Sequence, residues 1–286
     1  MPLELAIGLS ALASALLSLG LYLMKLRAPE LPALGSGFRW TTWRAFLRDK
    51  LWLSGLLLQT FGYALYFAVL RYAPLSLVHT ALTGGLVLFL LLAVFWLGEH
   101  AGVREWAGGL LVTAGLVLLG LSLDEQSSHG PSPVYLGGFV GACALVAALA
   151  LVLDRQPHRP VGTSIASGLL LGLAAVFAKL LATTDSFTRA LSSAPLWLTL
   201  GANIGGFALM QSALQNGRGV VVVPIFAMLS DVVPIVAGII LFGETLPREQ
   251  PEATFRLLAF VLALTGGGLL ATTSEPHHRA ATPKSV

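Results

Sequence analysis

Residues 219–242 read GVVVVPIFAMLSDVVPIVAGIILF, twenty-four positions in which Asp231 is the one ionisable group. As a helix such a run covers ~36 Å at ~1.5 Å per residue, more than the ~30 Å of a bilayer's hydrocarbon core. A helix that is apolar all round has no face for water, so it is buried in protein or in lipid. The rest of the chain decides for lipid. Hydrophobic residues make up 56% of the chain, charged residues 11%, and the mean hydropathy is +0.81. A soluble domain carries about 25% charged residues. The remaining polar surface is too small to cover a water-soluble particle of 286 residues.

Eight further apolar stretches lie around this one, at 3–24, 51–70, 74–97, 103–123, 133–153, 163–183, 195–215 and 255–272. In lipid every backbone polar group must be satisfied inside its own segment, so each stretch is read as a spanning helix. The fold class is therefore an all-α polytopic membrane protein of about nine transmembrane helices. The first stretch follows Glu4 and no basic residue, and is read as a retained helix rather than a signal peptide. Joins such as Arg71-Tyr72-Ala73 and Asn216-Gly217-Arg218 are short and force antiparallel neighbours. The loop 25–50 is longer. Its interleaved Phe38-Arg39-Trp40, Trp43-Arg44 and Phe46-Leu47-Arg48 suggest a helix lying on the membrane surface, or else a plain basic loop.

Loop charge sets an orientation. With 25–50 in the cytoplasm, that side holds Lys25, Arg27, Arg39, Arg44, Arg48, Lys50, Arg104, Arg155, Arg159, Arg218, Arg279 and Lys284. The other side holds Arg71, Arg189, Arg248 and Arg256, twelve against four. The positive-inside rule then predicts an outside N-terminus and a cytoplasmic C-terminus in a multi-pass cell (inner) membrane protein. The basic residues read as topology signals, with no nucleic-acid surface. The lone cysteine, Cys143, allows no internal disulfide and no zinc-type cluster, and no motif calls for a cofactor.

The halves resemble each other. Residues 70–99 read LRYAPLSLVHTALTGGLVLFLLLAVFWLGE, and residues 215–244 read QNGRGVVVVPIFAMLSDVVPIVAGIILFGE. Each is a tight basic turn followed by a long apolar helix closing on Gly-Glu, with Glu99 and Glu244 145 positions apart. Glycine-bearing helices follow at Thr113-Ala114-Gly115 and Thr265-Gly266-Gly267. Nine spans put Glu99 inside and Glu244 outside, so the repeat is inverted, as in many secondary transporters. The predicted units are a first repeat of four helices over 1–123, a linker over 124–132, a second repeat of five over 133–273, and a cytoplasmic tail over 274–286.

A helix ending in Leu-Arg-Tyr-Ala-Pro (70–74), a next ending in Leu-Gly-Glu (97–99), then a basic residue, Trp106 and a glycine-containing helix resemble the EamA-like branch of the drug/metabolite transporter superfamily. The nine-span layout, with Tyr22-Leu23-Met24-Lys25-Leu26-Arg27 leading into a basic loop, is similar to the NIPA-type magnesium transporters of that superfamily. The resemblance implies transport of a small molecule or an ion. Typical members have ten helices, five plus five. Here either a helix is missing from the first half or residues 34–50 replace it.

Ionisable groups at bilayer depth are functional candidates, because an unpaired charge there is costly. Asp231 sits between Pro224 and Pro234, which are expected to break the helix and free carbonyls beside the carboxylate. It is read as a site for a proton, a cation or a cationic substrate group; the structural alternative is a protonated Asp bonded to a neighbouring helix. Lys179 either snorkels toward Asp185 or serves as counter-ion to Asp231 or an anionic substrate. His79 is a proton relay or a hydrogen-bonded structural histidine. Gln59, Tyr63 and Tyr66 share one helical face, and Asn203, Gln211 and Gln215 are phased alike, so the two sets either line a common polar pathway or bond helix to helix. Glu99 and Glu244 read as interfacial stops paired locally, to Arg104 and Arg248 for example. Gly84, Gly85, Gly108, Gly109 and Gly266, Gly267 and Gly268 read as sites of close helix packing.

The function expected is a secondary transporter working by alternating access, with proton coupling through Asp231. A divalent-cation (Mg²⁺) transporter or channel is the alternative, and a lipid carrier or a non-transport membrane protein follows. No H-E-x-x-H, G-x-S-x-G or glycine-rich phosphate loop points to an enzyme. The partners expected are the bilayer and the transported species, with a homodimer left open.

Overall fold

The computed structural model describes residues 3–33, 40–70, 75–121, 132–154, 160–182, 191–242 and 252–272. Among them are ten α-helices and no strand. They are α1 (Leu3–Arg27), α2 (Trp40–Arg48), α3 (Lys50–Leu70), α4 (Leu75–Phe95), α5 (Val103–Leu121), α6 (Pro133–Leu153), α7 (Val161–Ala182), α8 (Ala194–Asn216), α9 (Gly219–Leu241) and α10 (Glu252–Ala271). By length and composition, four segments of the described residues can cross a membrane: Glu4–Glu30, Pro133–Leu153, Val161–Leu181 and Gly219–Leu241. Helix α8 falls outside this set, since Asn203, Gln211, Gln215 and Asn216 dilute its apolar content.

The surface helix expected within 25–50 is α2, but its apolar face is turned to the protein. Phe46 is fully buried, edge-on to Trp52 with ring centroids 5.2 Å apart, and Trp43 stacks at 6.4 Å on Phe207 of α8. Arg44 and Leu47 stay exposed. Nine residues cover only ~14 Å as a helix, so α2 cannot stand in for a tenth span.

Packing follows one order in both halves. Helix α1 lies against α3 and α4, and α4 against α5; α7 lies against α8 and α9, and α9 against α10. Helices α5 and α10 join the halves, and α6 sits beside α7 with Ala147 its buried residue. Close approach depends on missing side chains. A Cβ on Gly20 would stand 2.6 Å from the Gly55 carbonyl oxygen of α3, and one on Gly266 would stand 2.6 Å from that of Gly108 on α5. Gly85, Gly109 and Gly267 likewise meet neighbours, but Gly84 and Gly268 face open space and make no such contact.

Helix α9 is the hub, touching α4, α5, α6, α7, α8 and α10. It runs without interruption through Pro224 and Pro234, so neither proline breaks it. Each proline lacks one N–H, which leaves the carbonyl four residues earlier without its helical donor. Packing on all sides holds the remaining ladder, with Val220, Val222, Val223, Ile225 and Phe226 buried. Upstream, α4 ends on Gly98 with φ +67°, and the Glu99 N–H donates back to the Ala93 carbonyl at 3.0 Å. Glycine takes that left-handed turn without strain. The turn places Glu99 at the end of the bundle.

Candidate functional site

A cavity of about 870 Å³ opens between helices of the two halves. Its wall includes Gln59 and Tyr63 from α3, Asn203 and Phe207 from α8, and Ser230 and Asp231 from α9. A second cavity of about 260 Å³ continues it toward α1 and α4, with Tyr66, Ser14 and Ser18 on its wall. Leu21, Tyr63, Phe226, Ser230 and Asp231 belong to both. Asp231, chosen as a charge at bilayer depth, and Gln59, Tyr63 and Asn203, chosen for their helical phase, therefore meet at one place, and Tyr66 is adjacent.

The local chemistry of Asp231 follows from its helix. Pro234 has no N–H for the Ser230 carbonyl, and the Ser230 hydroxyl donates to the Ala227 carbonyl at 2.8 Å. A carboxylate thus stands beside an under-used carbonyl at the cavity wall. The smaller cavity has a similar feature: Ser18 Oγ donates to the Ser14 carbonyl at 2.9 Å and lies 2.7 Å from the Gly85 carbonyl. The surroundings are otherwise apolar and aromatic, with Trp43, Phe207 and Phe226 on the wall. Among the described residues no group of three His, Cys, Asp or Glu side chains gathers to hold a metal ion. One carboxylate with neutral oxygens suits a hydrated cation or a protonated amine, and does not make an all-protein metal cage.

Gln211 and Gln215 do not line the cavity and hold helices together. Gln211 is fully buried; its Oε1 accepts from Trp52 Nε1 at 3.0 Å and its Nε2 lies 3.4 Å from Met24 Sδ. Gln215 Nε2 donates to the carbonyls of Ala28, Leu31 and Pro32 at 3.1–3.3 Å, tying down the turn after α1. The reason is helical phase. Eight and twelve residues beyond Asn203 carry a side chain about 80° and 120° around the helix and about 12–18 Å along it. Lys179 is on α7 with its ammonium 4.4 Å from the centroid of the Phe242 ring, and neither cavity wall includes it. The His79 side chain lies outside the described residues, as do Asp185, Glu244 and Arg248.

Sequence reading missed a charged cluster at the end of the bundle where α1 finishes and α9 starts. Lys25 Nζ donates to the Leu214 carbonyl at 2.7 Å and to the Gly217 carbonyl, and lies 3.6 Å from Glu99 Oε1. Glu99 accepts from the backbone N–H groups of Gly219 at 2.7 Å and Val220 at 2.9 Å, capping α9. Arg218 reaches Glu105 at 2.7 Å and the His100 carbonyl at 2.7 Å. Glu99 therefore pairs with Lys25, where a local partner such as Arg104 was expected. The sequence signals were the loop charges Lys25 and Arg218 and the Gly98-Glu99 helix stop. Partners 74 or more positions away leave no periodic trace.

No family model matches the chain, and no solved structure matches it. It is similar to the probable magnesium transporter NIPA9 of Arabidopsis thaliana, with 26% identity over 251 residues, covering 81% of this chain and 72% of that protein. This likeness supports the NIPA-type side of the resemblance and does not reach the EamA branch.

Proposed function

We propose that this chain is a multi-pass membrane transporter whose cargo, a small cation, occupies the cavity at Asp231. The observation that carries the reading is the convergence of Asp231, Gln59, Tyr63 and Asn203, from both halves, on one cavity. Magnesium is the first cargo to test, on the likeness to NIPA9. A hydrated Mg²⁺ with six waters at ~30 Å³ each needs ~180 Å³, well inside this volume, and the ion gives up its waters reluctantly. Gln59, Asn203 and the Ser230 carbonyl would hydrogen-bond those waters, and Asp231 would balance the charge.

The nine long helices are taken as the spans, with the N-terminus outside by the positive-inside count. The matching order of packing in α1, α3, α4, α5 and in α7, α8, α9, α10 supports the inverted repeat. Alternating access would then rock one unit against the other around the cavity. A second reading has its own support in the cavity wall: Trp43, Tyr63, Phe207 and Phe226 surround a space large enough for an organic cation. That cargo would move in exchange for a proton on Asp231.

Flux in proteoliposomes separates them. Magnesium uptake without a pH gradient, reduced at least about tenfold in Asp231→Asn, is expected for the first reading. Uptake of organic cations driven only by a pH gradient would favour the second. Equal flux in both variants would overturn the assignment of Asp231.

A further inference from the structure

We infer that the buried ionic clasp formed by Lys25, Glu99 and Glu105 around the turn between α8 and α9 is the gate that shuts the cavity on the face where α1 ends and α9 begins. The inference rests on the transporter reading for its purpose, but its geometry stands alone.

The Arg218–Glu105 pair and the bonds of Lys25 and Glu99 to the backbone between α8 and α9 cross from one half to the other, and the Lys25–Glu99 pair ties α1 to the end of α4 within the first half. Lys25, Glu99 and Glu105 come from the first half; Leu214, Gly217, Arg218, Gly219 and Val220, which they hold, come from the second. Both ion pairs are nearly enclosed, with side-chain exposures of 10% and 11% for Lys25 and Glu99 and of 15% and 9% for Arg218 and Glu105. Lys25 and Glu99 each also meet the end of a helix dipole that favours them. The ammonium lies on carbonyls at the C-terminal end of α8, and the Glu99 carboxylate lies on N–H groups at the N-terminal end of α9.

Between the clasp and the cavity lies an apolar plug. Phe89, Leu214 and Val220 are at most 1% exposed and belong to one apolar cluster with Phe226, which lines the cavity. Rocking the halves apart at this face must part the contacts of Lys25, Glu99 and Glu105 with residues 214–220 together and wet the plug. The Arg218–Glu105 pair suits such a two-state element, since each charge loses its compensation as soon as the pair separates. The fit is tight enough to be wedged. A Cβ on Gly219 would stand 2.9 Å from the Phe89 ring and 3.4 Å from Glu99 Oε1.

The test reads access to the cavity and requires no transport. Cys143→Ser removes the one native thiol, and Ala175→Cys places a reporter on the cavity wall. Reconstituted protein is treated with a membrane-impermeant maleimide from each side in turn. With the clasp intact, the reporter is expected to react slowly from the clasp face. Lys25→Met, which unclasps the gate, and Gly219→Val, which wedges it without removing a charge, should each raise that rate about tenfold, and Lys25→Arg should raise it less. The inference is overturned if Lys25→Met and Gly219→Val, each eluting and melting as folded protein, label like the parent from both faces. It is equally overturned if the parent already labels fast from the clasp face. A protein that moves neither Mg²⁺ nor organic cations but still shows the gated labelling would refute the transport reading alone.

Discussion

Trp52 and Gln211 illustrate how much rests on single side chains. The indole N–H of Trp52, from the first half, donates at 3.0 Å to a Gln211 side chain that has no exposure at all. Trp52→Phe keeps the aromatic packing on Phe46 but leaves the amide oxygen short of a donor. Interhelical hydrogen bonds of membrane proteins average ~0.6 kcal/mol, and a buried acceptor without a donor costs ~1–3 kcal/mol. A loss of about 1 kcal/mol is therefore expected, measured as a lower midpoint of thermal unfolding in detergent, with little change in flux. At the surface, Arg27 donates to Asp49 Oδ2 through two nitrogens at 2.8 and 3.0 Å, and Asp49 Oδ1 accepts from the Trp52 N–H at 2.8 Å. The Arg27 guanidinium holds the Asp49 carboxyl below the usual carboxylate range, with the Trp52 N–H helping and partial desolvation opposing. Because the folded value is the lower one, this contribution is complete above the unfolded value of about 3.9 and is lost as pH falls through the folded value. Hydrogen-exchange protection of residues 40–52, corrected for intrinsic rates, should be level from about pH 7 to 5 and drop below about pH 4. In Asp49→Asn it should be weaker and free of that drop.

Helices that touch backbone to backbone explain the bundle at the next scale. Gly20 and Gly55 let α1 and α3 meet where a Cβ would stand 2.6 Å from a carbonyl oxygen, and that oxygen cannot move without moving the helix. Gly8, on the same helix, has nothing within 4 Å. Gly20→Ala should thus destabilise by about 1–3 kcal/mol through overpacking. Gly8→Ala should be neutral or stabilise by up to about 1 kcal/mol through helix propensity. Thermal unfolding of the two variants side by side checks this, and equal effects would mean that α1 and α3 do not pack as described. Helix α2 shows the opposite case, an element whose place is set by side chains. Its anchors are Phe46 against Trp52 and Trp43 against Phe207, so the loop that bears the basic residues is held at the end of the cavity.

Across the whole molecule, among the described residues, two sets of helices meet at the two joined cavities and at the clasp, with α5 and α10 as a further seam. If the basic loops face the cytoplasm, the clasp is on the cytoplasmic face and the cavity is shut from that side. A tag before residue 3 should then be cleaved by protease added outside intact cells, and a tag after residue 286 should not. The reverse pattern would turn the clasp outward and reverse the sidedness of the gate, with the interior geometry unchanged.

The amino-acid sequence by itself determined the helices, because apolar length is local and additive. It also marked Asp231, because a charge in twenty-four apolar positions stands out against its neighbours. Phase within one helix was enough to bring Gln59 and Tyr63 to one face. Phase carried over eight or twelve residues was not, since the drift about the axis took Gln211 and Gln215 from the cavity to the packed seam between helices. Proline chemistry implies a carbonyl at Ser230 without its helical donor, but whether α9 broke there was decided by the helices packed around it. Lys25, Glu99, Glu105 and Arg218 were visible only as loop charges and a helix stop. Their pairing depends on which helix ends the fold brings together, 74 positions apart for Lys25 and Glu99 and 113 for Glu105 and Arg218, and no local pattern of residues encodes that distance.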